Sequence, residues 1–154
     1  MKLSIQTYLI LLLFFSFLSC SEKLPYKTRL LNYLNDIHFV SIKDETLLIL
    51  INGYCGSCDD KTINLIQEIS KCEKFKNVKK IVILSSLHHA IYDKINNSEF
   101  QILIDPEYYL SRYGLDFGNN IIVHFKNDKI IQYWNWLYLN EIYNVSEKYG
   151  LKDC

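Results

Sequence analysis

Apolar residues recur along this chain in two alternating styles. From Pro25 onward, Leu30, Leu31, Leu34 and Ile37 fall at helical intervals among Lys27, Arg29, Asn32 and Asp36, which predicts an amphipathic helix. Thr46 to Ile51 then forms an unbroken apolar run between Asp44-Glu45 and Asn52-Gly53, as a strand covered on both faces would. Ile63, Leu65, Ile66, Ile69 and Cys72 return to helical spacing with Lys61, Gln67, Glu68 and Lys71 between them, giving a helix of about four turns. Ile81 to Leu84 is a second buried strand, His89 to Ile95 a short helix ending at Asn96-Asn97, and Phe100 to Ile104 a third strand. Asp105 is placed to cap a further helix, with Pro106 at its first position and Gly114 at its end. Ile121 to Phe125, the turn Lys126-Asn127-Asp128, and Lys129 to Trp134 predict an antiparallel hairpin, and a last helix runs from Leu139 to Tyr149 with Gly150 as its stop.

Strand and helix therefore alternate first, and a hairpin and helix follow. This predicts an α/β fold: a mixed central sheet flanked by helices, mostly parallel through right-handed crossovers, with functional loops at the carboxyl ends of its strands. Composition narrows the picture little. Of 154 residues, 17 are Lys or Arg and 17 are Asp or Glu, so charge suggests neither a nucleic-acid surface nor a polybasic membrane patch. The sequence shows no internal repeat and no linker-like stretch, so residues 20–154 are expected to form one domain.

The N-terminus is read separately. Lys2 precedes an apolar run from Tyr8 to Leu18, interrupted only by Ser16, and Ser19-Cys20-Ser21 follows. The run is well short of the roughly 20 residues of a membrane-spanning helix, so residues 1–19 are expected to be a signal peptide. Phe17-Leu18-Ser19-Cys20 resembles, loosely, the lipobox of bacterial lipoproteins, in which the Cys becomes the acylated first residue of the mature chain. That resemblance implies a lipid anchor at Cys20 and a location in the bacterial cell envelope, facing outside the cytoplasm. Ordinary cleavage, with Cys20 left as a free thiol, is the alternative.

Five cysteines, Cys20, Cys55, Cys58, Cys72 and Cys154, do not form the dense, even set of a disulfide-stapled domain. Cys55 and Cys58 lie just beyond the first apolar strand, at the start of the following helix. There the first amides and the helix dipole stabilise a thiolate, and the second Cys is nearly one turn further on the same side. This spacing suits disulfide exchange. A structural zinc site would need two more well-spaced ligands, and the sequence has no second Cys-x-x-Cys and no His-x-x-His pair.

The strand leading into Cys55-Gly56-Ser57-Cys58, the Asp105-Pro106 element and the segment Phe125-Lys126-Asn127-Asp128-Lys129 together resemble the thioredoxin-like superfamily. The resemblance is closest to its TlpA/ResA-like branch of membrane-anchored thiol-disulfide oxidoreductases, and covers about Leu47 to Tyr149. It implies a thioredoxin-like fold with a strand-helix insertion before the final hairpin, no bound cofactor, and a redox-active Cys55–Cys58 disulfide. Cys55 would attack and Cys58 would resolve, with Tyr54, Gly56, Ser57 and Asn120 on the substrate-facing loops. The implied partners are extracytoplasmic protein thiols and disulfides and an unspecified redox donor, not nucleic acid.

Tyr54 stands where the family usually has Trp, and two further departures matter more. Asn120 stands where a cis-proline faces the disulfide, and a non-proline cis bond costs about 3 to 4 kcal/mol, so a trans bond is expected there. Ile49 stands where thioredoxins have a buried acid that assists the resolving thiol, so another group would have to take that role. Family geometry also brings the ends of two helices together, which implies a structural Cys72–Cys154 disulfide. An alternative resemblance, to Sco-like copper chaperones, would make Cys55, Cys58 and His124 copper ligands, although those proteins space their cysteines by three residues. His88 and His89 follow a strand and are read as solvated surface, and Trp134, Trp136, Tyr133 and Tyr138 as edge packing.

Overall fold

The computed structural model describes residues 26–52, 56–85, 89–95, 99–115, 118, 120–127, 129–135, 140–151 and 154, with only the backbone described at 57–58, 89–90, 132–135 and 140–144. Strand β1 (Thr46–Ile51) is buried at all six positions. A strand this apolar must be covered on both faces, and it takes the middle of a five-stranded sheet in which four further strands flank it. The others are β2 (Lys79–Ser85), β3 (Gln101–Asp105), β4 (Ile121–Lys126) and β5 (Lys129–Asn135), in the order β3-β2-β1-β4-β5. β2 lies parallel to β1, with Leu48 beside Ile81 and Leu50 beside Ile83, and β3 is parallel to β2. β4 is antiparallel to β1, with Ile122 opposite Ile49, and the hairpin turns back through Asn127, whose φ of 49° is the left-handed backbone such tight turns demand.

Side chains alternate across a strand, so β1 feeds two cores. Leu47, Ile49 and Ile51 face one layer, made by α2 (Gly56–Lys71), α3 (His89–Ile95) and α5 (Asn140–Tyr149), where Ile66, Ile69 and Val145 are fully buried. Leu48 and Leu50 face the other, where α1 (Lys27–His38) contributes Leu30, Tyr33 and Leu34, all fully buried, and α4 (Tyr109–Arg112) contributes Leu110. The predicted mixed α/β sheet with helices on both faces is the observed one.

One predicted helix is much shorter than its pattern suggested. After Asp105 the chain makes a single 3-10 turn, Pro106–Tyr108, and Glu107 and Tyr108 take left-handed backbone with φ of 51° and 60°. Two such residues break helical hydrogen bonding, leaving only the four residues of α4. Asp105 itself extends β3, paired with Ser85, and its carboxylate accepts the Leu110 N–H at 3.1 and 3.3 Å, several residues beyond an ordinary N-cap reach. Gly114 stops α4 as predicted: its φ is 65°, and the next N–H, of Leu115, returns to the Leu110 carbonyl at 2.9 Å. Residues 1–25, including the predicted signal peptide and Cys20, lie outside the described residues. Among the described residues, no helix is long and apolar enough to cross a membrane.

Candidate redox site

β1 ends at Ile51, and α2 starts at Gly56 and runs back over the sheet. Gly53, Tyr54 and Cys55 lie between them, outside the described residues, as do Asn119 and so the peptide bond into Asn120. Cys58 is in the first turn of α2, where helix amides point outward and favour a thiolate nearby, though its side chain and that of Ser57 are not described. Gly56 is exposed, and a Cβ there would meet nothing within 4 Å, so space does not demand glycine at this point.

What fixes this helix start to the sheet is Asn120, at the head of β4. The residue is only 3% exposed. Its Nδ2 donates to Asp59 Oδ1 at 2.9 Å and to Thr62 Oγ1 at 3.1 Å, while its Oδ1 accepts the Asn52 N–H at 2.8 Å. One buried amide thereby ties the end of β1, the first turns of α2 and the entry to β4. The Asn120 side chain is consumed inside the fold, so what this position offers to a substrate-facing loop is its backbone.

Asp59 and Thr62, 5% and 0% exposed, were not singled out from the sequence. A signal for them exists: Asp59, Thr62, Ile66 and Ile69 are spaced three, four and three apart, so the apolar stripe of α2 continues into its first turn as two polar residues. Ile49 lies fully buried in the apolar core, so this chain has no acid at the thioredoxin position. The buried carboxylate in the first turn of α2 is instead Asp59, one residue past Cys58.

His124 stands apart from the first turn of α2. It pairs with Leu47, near the start of β1, whereas α2, with Cys58 in its first turn, begins beyond the other end of that strand. Asn120, beside the first turn of α2, is four residues away along β4, or about 13 Å at the usual rise. Both His124 ring nitrogens are also engaged, Nδ1 with the Tyr149 hydroxyl at 2.8 Å and Nε2 with Glu45 Oε1 at 3.1 Å. Burial lowers the His124 pKa, against the opposing pull of the Glu45 carboxylate. Burial likewise raises that of Tyr149, and the Lys126 ammonium, 3.0 Å from Glu45, holds that carboxyl below its ordinary value.

Cys72 and Cys154 meet at this same far end of α2. The structure joins them by a disulfide with Cα atoms 5.0 Å apart, beside Lys74, which donates to the Tyr149 carbonyl. His88 lies outside the described residues, and His89 opens α3 with its side chain undescribed. The aromatic run is divided likewise: Tyr133 and Trp134 lie on β5 with backbone alone described, and Trp136 and Tyr138 fall outside.

A second polar cluster occupies the opposite face of the sheet. Asp105 is 2% exposed and accepts the Tyr33 hydroxyl at 2.9 Å, and that oxygen is 2.8 Å from His38 Nε2. Burial raises the pKa of Asp105 and of Tyr33 and lowers that of His38. No residue of this cluster is a sequence candidate for chemistry, since Asp105 reads as a helix cap and Tyr33 and His38 are not singled out by any pattern.

No family model matches this sequence, and no curated protein matches it. Among solved structures it is similar to a candidate thiol:disulfide interchange protein, DsbE, from Chlorobium tepidum, at 13% identity and a TM-score of 0.52, covering 70% of this chain and 78% of that one. It is also similar to a pneumococcal exposed lipoprotein thioredoxin from Streptococcus pneumoniae, at 16% identity and a TM-score of 0.46 over 73% and 86% of the two chains. A secreted disulfide oxidoreductase of Mycobacterium tuberculosis gives 17% identity and a TM-score of 0.45 over 60% and 69%. The likeness is one of fold, and the chain has the thioredoxin-like fold.

Proposed function

We propose that this protein exchanges disulfides with other polypeptides through Cys55 and Cys58. The observation that supports the reading is the position of Cys58, in the first turn of a helix that a buried amide, Asn120, fastens to the carboxyl end of the central strand of a thioredoxin-like sheet. In the reducing direction, the Cys55 thiolate attacks a partner disulfide, forming a mixed disulfide and releasing one partner thiolate. Cys58, on losing its proton, attacks the Cys55 sulfur, closes the Cys55–Cys58 disulfide and releases the second partner thiolate. Two electrons pass to the partner, and the oxidising direction is the same sequence reversed. The direction follows from the reduction potential, which a titration against glutathione reads.

The signal-peptide and lipobox patterns support an extracytoplasmic site of action, with Cys20 acylated and the domain held at a membrane of the bacterial cell envelope. The substrates are then envelope proteins bearing thiols or disulfides, and a separate redox donor resets the pair. Turnover of insulin disulfides by the purified domain, lost in Cys55→Ser, tests the chemistry. A Cys58→Ser variant is expected to accumulate the mixed disulfide instead. Absence of Cys55-dependent turnover would overturn the reading, and radiolabelled palmitate that does not depend on Cys20 would remove the anchor.

A further inference from the structure

On the face of the sheet turned away from α2, three polar side chains stand in a row. Ile51 pairs with Leu84, so Asn52 stands next to Ser85, and Ser85 pairs with Asp105. Residues beside one another on parallel strands share a face, and this row is two residues beyond the apolar row Leu50, Ile83 and Leu103. The chain thus changes from apolar to polar at the carboxyl ends of β1, β2 and β3, where open α/β sheets form their ligand crevices. Tyr108, Leu110, Ser111 and Leu115 close over the row, and together with Leu50 they bound a pocket of about 160 Å³. That is room for a group of about six heavy atoms.

Two features of the lining select a ligand. Asn52 Nδ2 is buried and has no hydrogen-bond partner among the described residues, although the N–H of the same residue is committed to Asn120. Buried donors left unmade are rare and costly, so a donor in a pocket wall points to an acceptor that enters the pocket. Asp105 receives the Tyr33 hydroxyl and the Leu110 N–H, and a carboxylate has lone pairs beyond these. Tyr108, 48% exposed at the mouth, is held there by left-handed backbone at both Glu107 and itself, a strained arrangement of the kind found at ligand clamps.

An anion would meet the Asp105 carboxylate, and a cation would leave the Asn52 donor unanswered. An uncharged amide satisfies both, its carbonyl accepting from Asn52 Nδ2 and its N–H donating to Asp105. We propose that the Asn52–Ser85–Asp105 pocket binds a single uncharged amide group. A free small amide and an amide of a bound polypeptide share this chemistry. The second source rests on the disulfide-exchange reading, because Asn52 is only three residues before Cys55 in the chain.

The test is an amide-resolved NMR titration of the full domain with N-methylacetamide, with acetate and methylammonium as ionic controls. Saturable shifts at Ser85, Ser111 and Leu115 are expected with the amide alone. Asn52→Leu is expected to weaken binding at least tenfold, and Asn52→Asp, which keeps the shape and removes the donor, should do the same if the leucine variant does not fold. Absence of saturable shifts, equal shifts from the two ions, as for a pocket that holds water only, or undiminished binding in Asn52→Asp would each overturn the proposal. A blocked peptide disulfide that shifts the same resonances at lower concentration places the amide on a partner polypeptide, and equal affinity places it on a free small molecule. N-methylacetamide binding in a protein without insulin turnover would keep the pocket and remove the redox reading.

Discussion

Replacing Asn120 with alanine removes three hydrogen bonds at once: to Asp59 at 2.9 Å, to Thr62 at 3.1 Å and from the Asn52 N–H at 2.8 Å. Each is worth about 1 kcal/mol net, and the contact to a carboxylate more, because the buried partner left behind keeps its desolvation cost. A loss of about 3 kcal/mol is expected. With a urea slope of about 2 kcal/mol per molar, the unfolding midpoint should fall by about 1.5 M. Asn120→Asp separates hydrogen bonding from size, since it sets a second carboxylate against Asp59. Two carboxylates at that distance do not both ionise readily, so one acquires a folded pKa above its unfolded value near 4. The folded state then holds a proton that the unfolded chain has released, and stability should decline as pH rises from about 4 through the raised value. Urea midpoints from pH 4 to 7 for the wild type and both variants make the assay. A fall of less than about 0.3 M in Asn120→Ala, or a profile in Asn120→Asp parallel to wild type, would refute the view that this amide fastens α2 to the sheet.

Three further outcomes follow. The Cys72–Cys154 bridge spans 82 residues, so loop-closure entropy sets the cost of the double serine variant at up to about 4.5 kcal/mol by urea unfolding, and alkylation without reductant should label neither thiol; label on both would remove the bridge. His124 and His38 both have pKa values lowered chiefly by burial, so the unfolded chain takes up their protons first on acidification. Stability should be intact above about pH 6.5 and fall below it, and His124→Gln should flatten that fall; an unchanged slope would count against a neutral buried imidazole. Tyr33→Phe removes the hydroxyl donated to the buried Asp105 and is expected to cost about 2 kcal/mol, whereas a neutral result would mean that the Leu110 N–H alone suffices.

Most of the element order was legible because it depends on local spacing. Thr46–Ile51 and Gly56–Lys71 match their sequence patterns, and the hairpin and Gly114 stop follow from turn chemistry carried by single residues. The helix after Asp105 was misjudged, since two left-handed residues at Glu107 and Tyr108, neither of them glycine, leave no mark in apolar periodicity. Both sides of the site show the same limit. Cys58 at a helix start is visible in the spacing, whereas apolar periodicity alone does not single out Asp59 and Thr62 as polar groups on the buried stripe.

By itself, then, the sequence determined the alternation of strands and helices and the position of two thiols where one strand gives way to a helix, since periodicity of two or 3.6 and the residues that end it act over a few neighbours. The tertiary structure decided which polar groups meet. Asn120 reaches Asn52 across 68 residues and Asp59 across 61, and both contacts exist only because β4 pairs with β1 in one register. That register also puts His124 beside Leu47, away from the first turn of α2, and the registers of β1, β2 and β3 line up Asn52, Ser85 and Asp105 in one row. A slip of one residue would turn each of these side chains to the other face, which is why pairing, and not composition, fixes the chemistry at this end of the sheet.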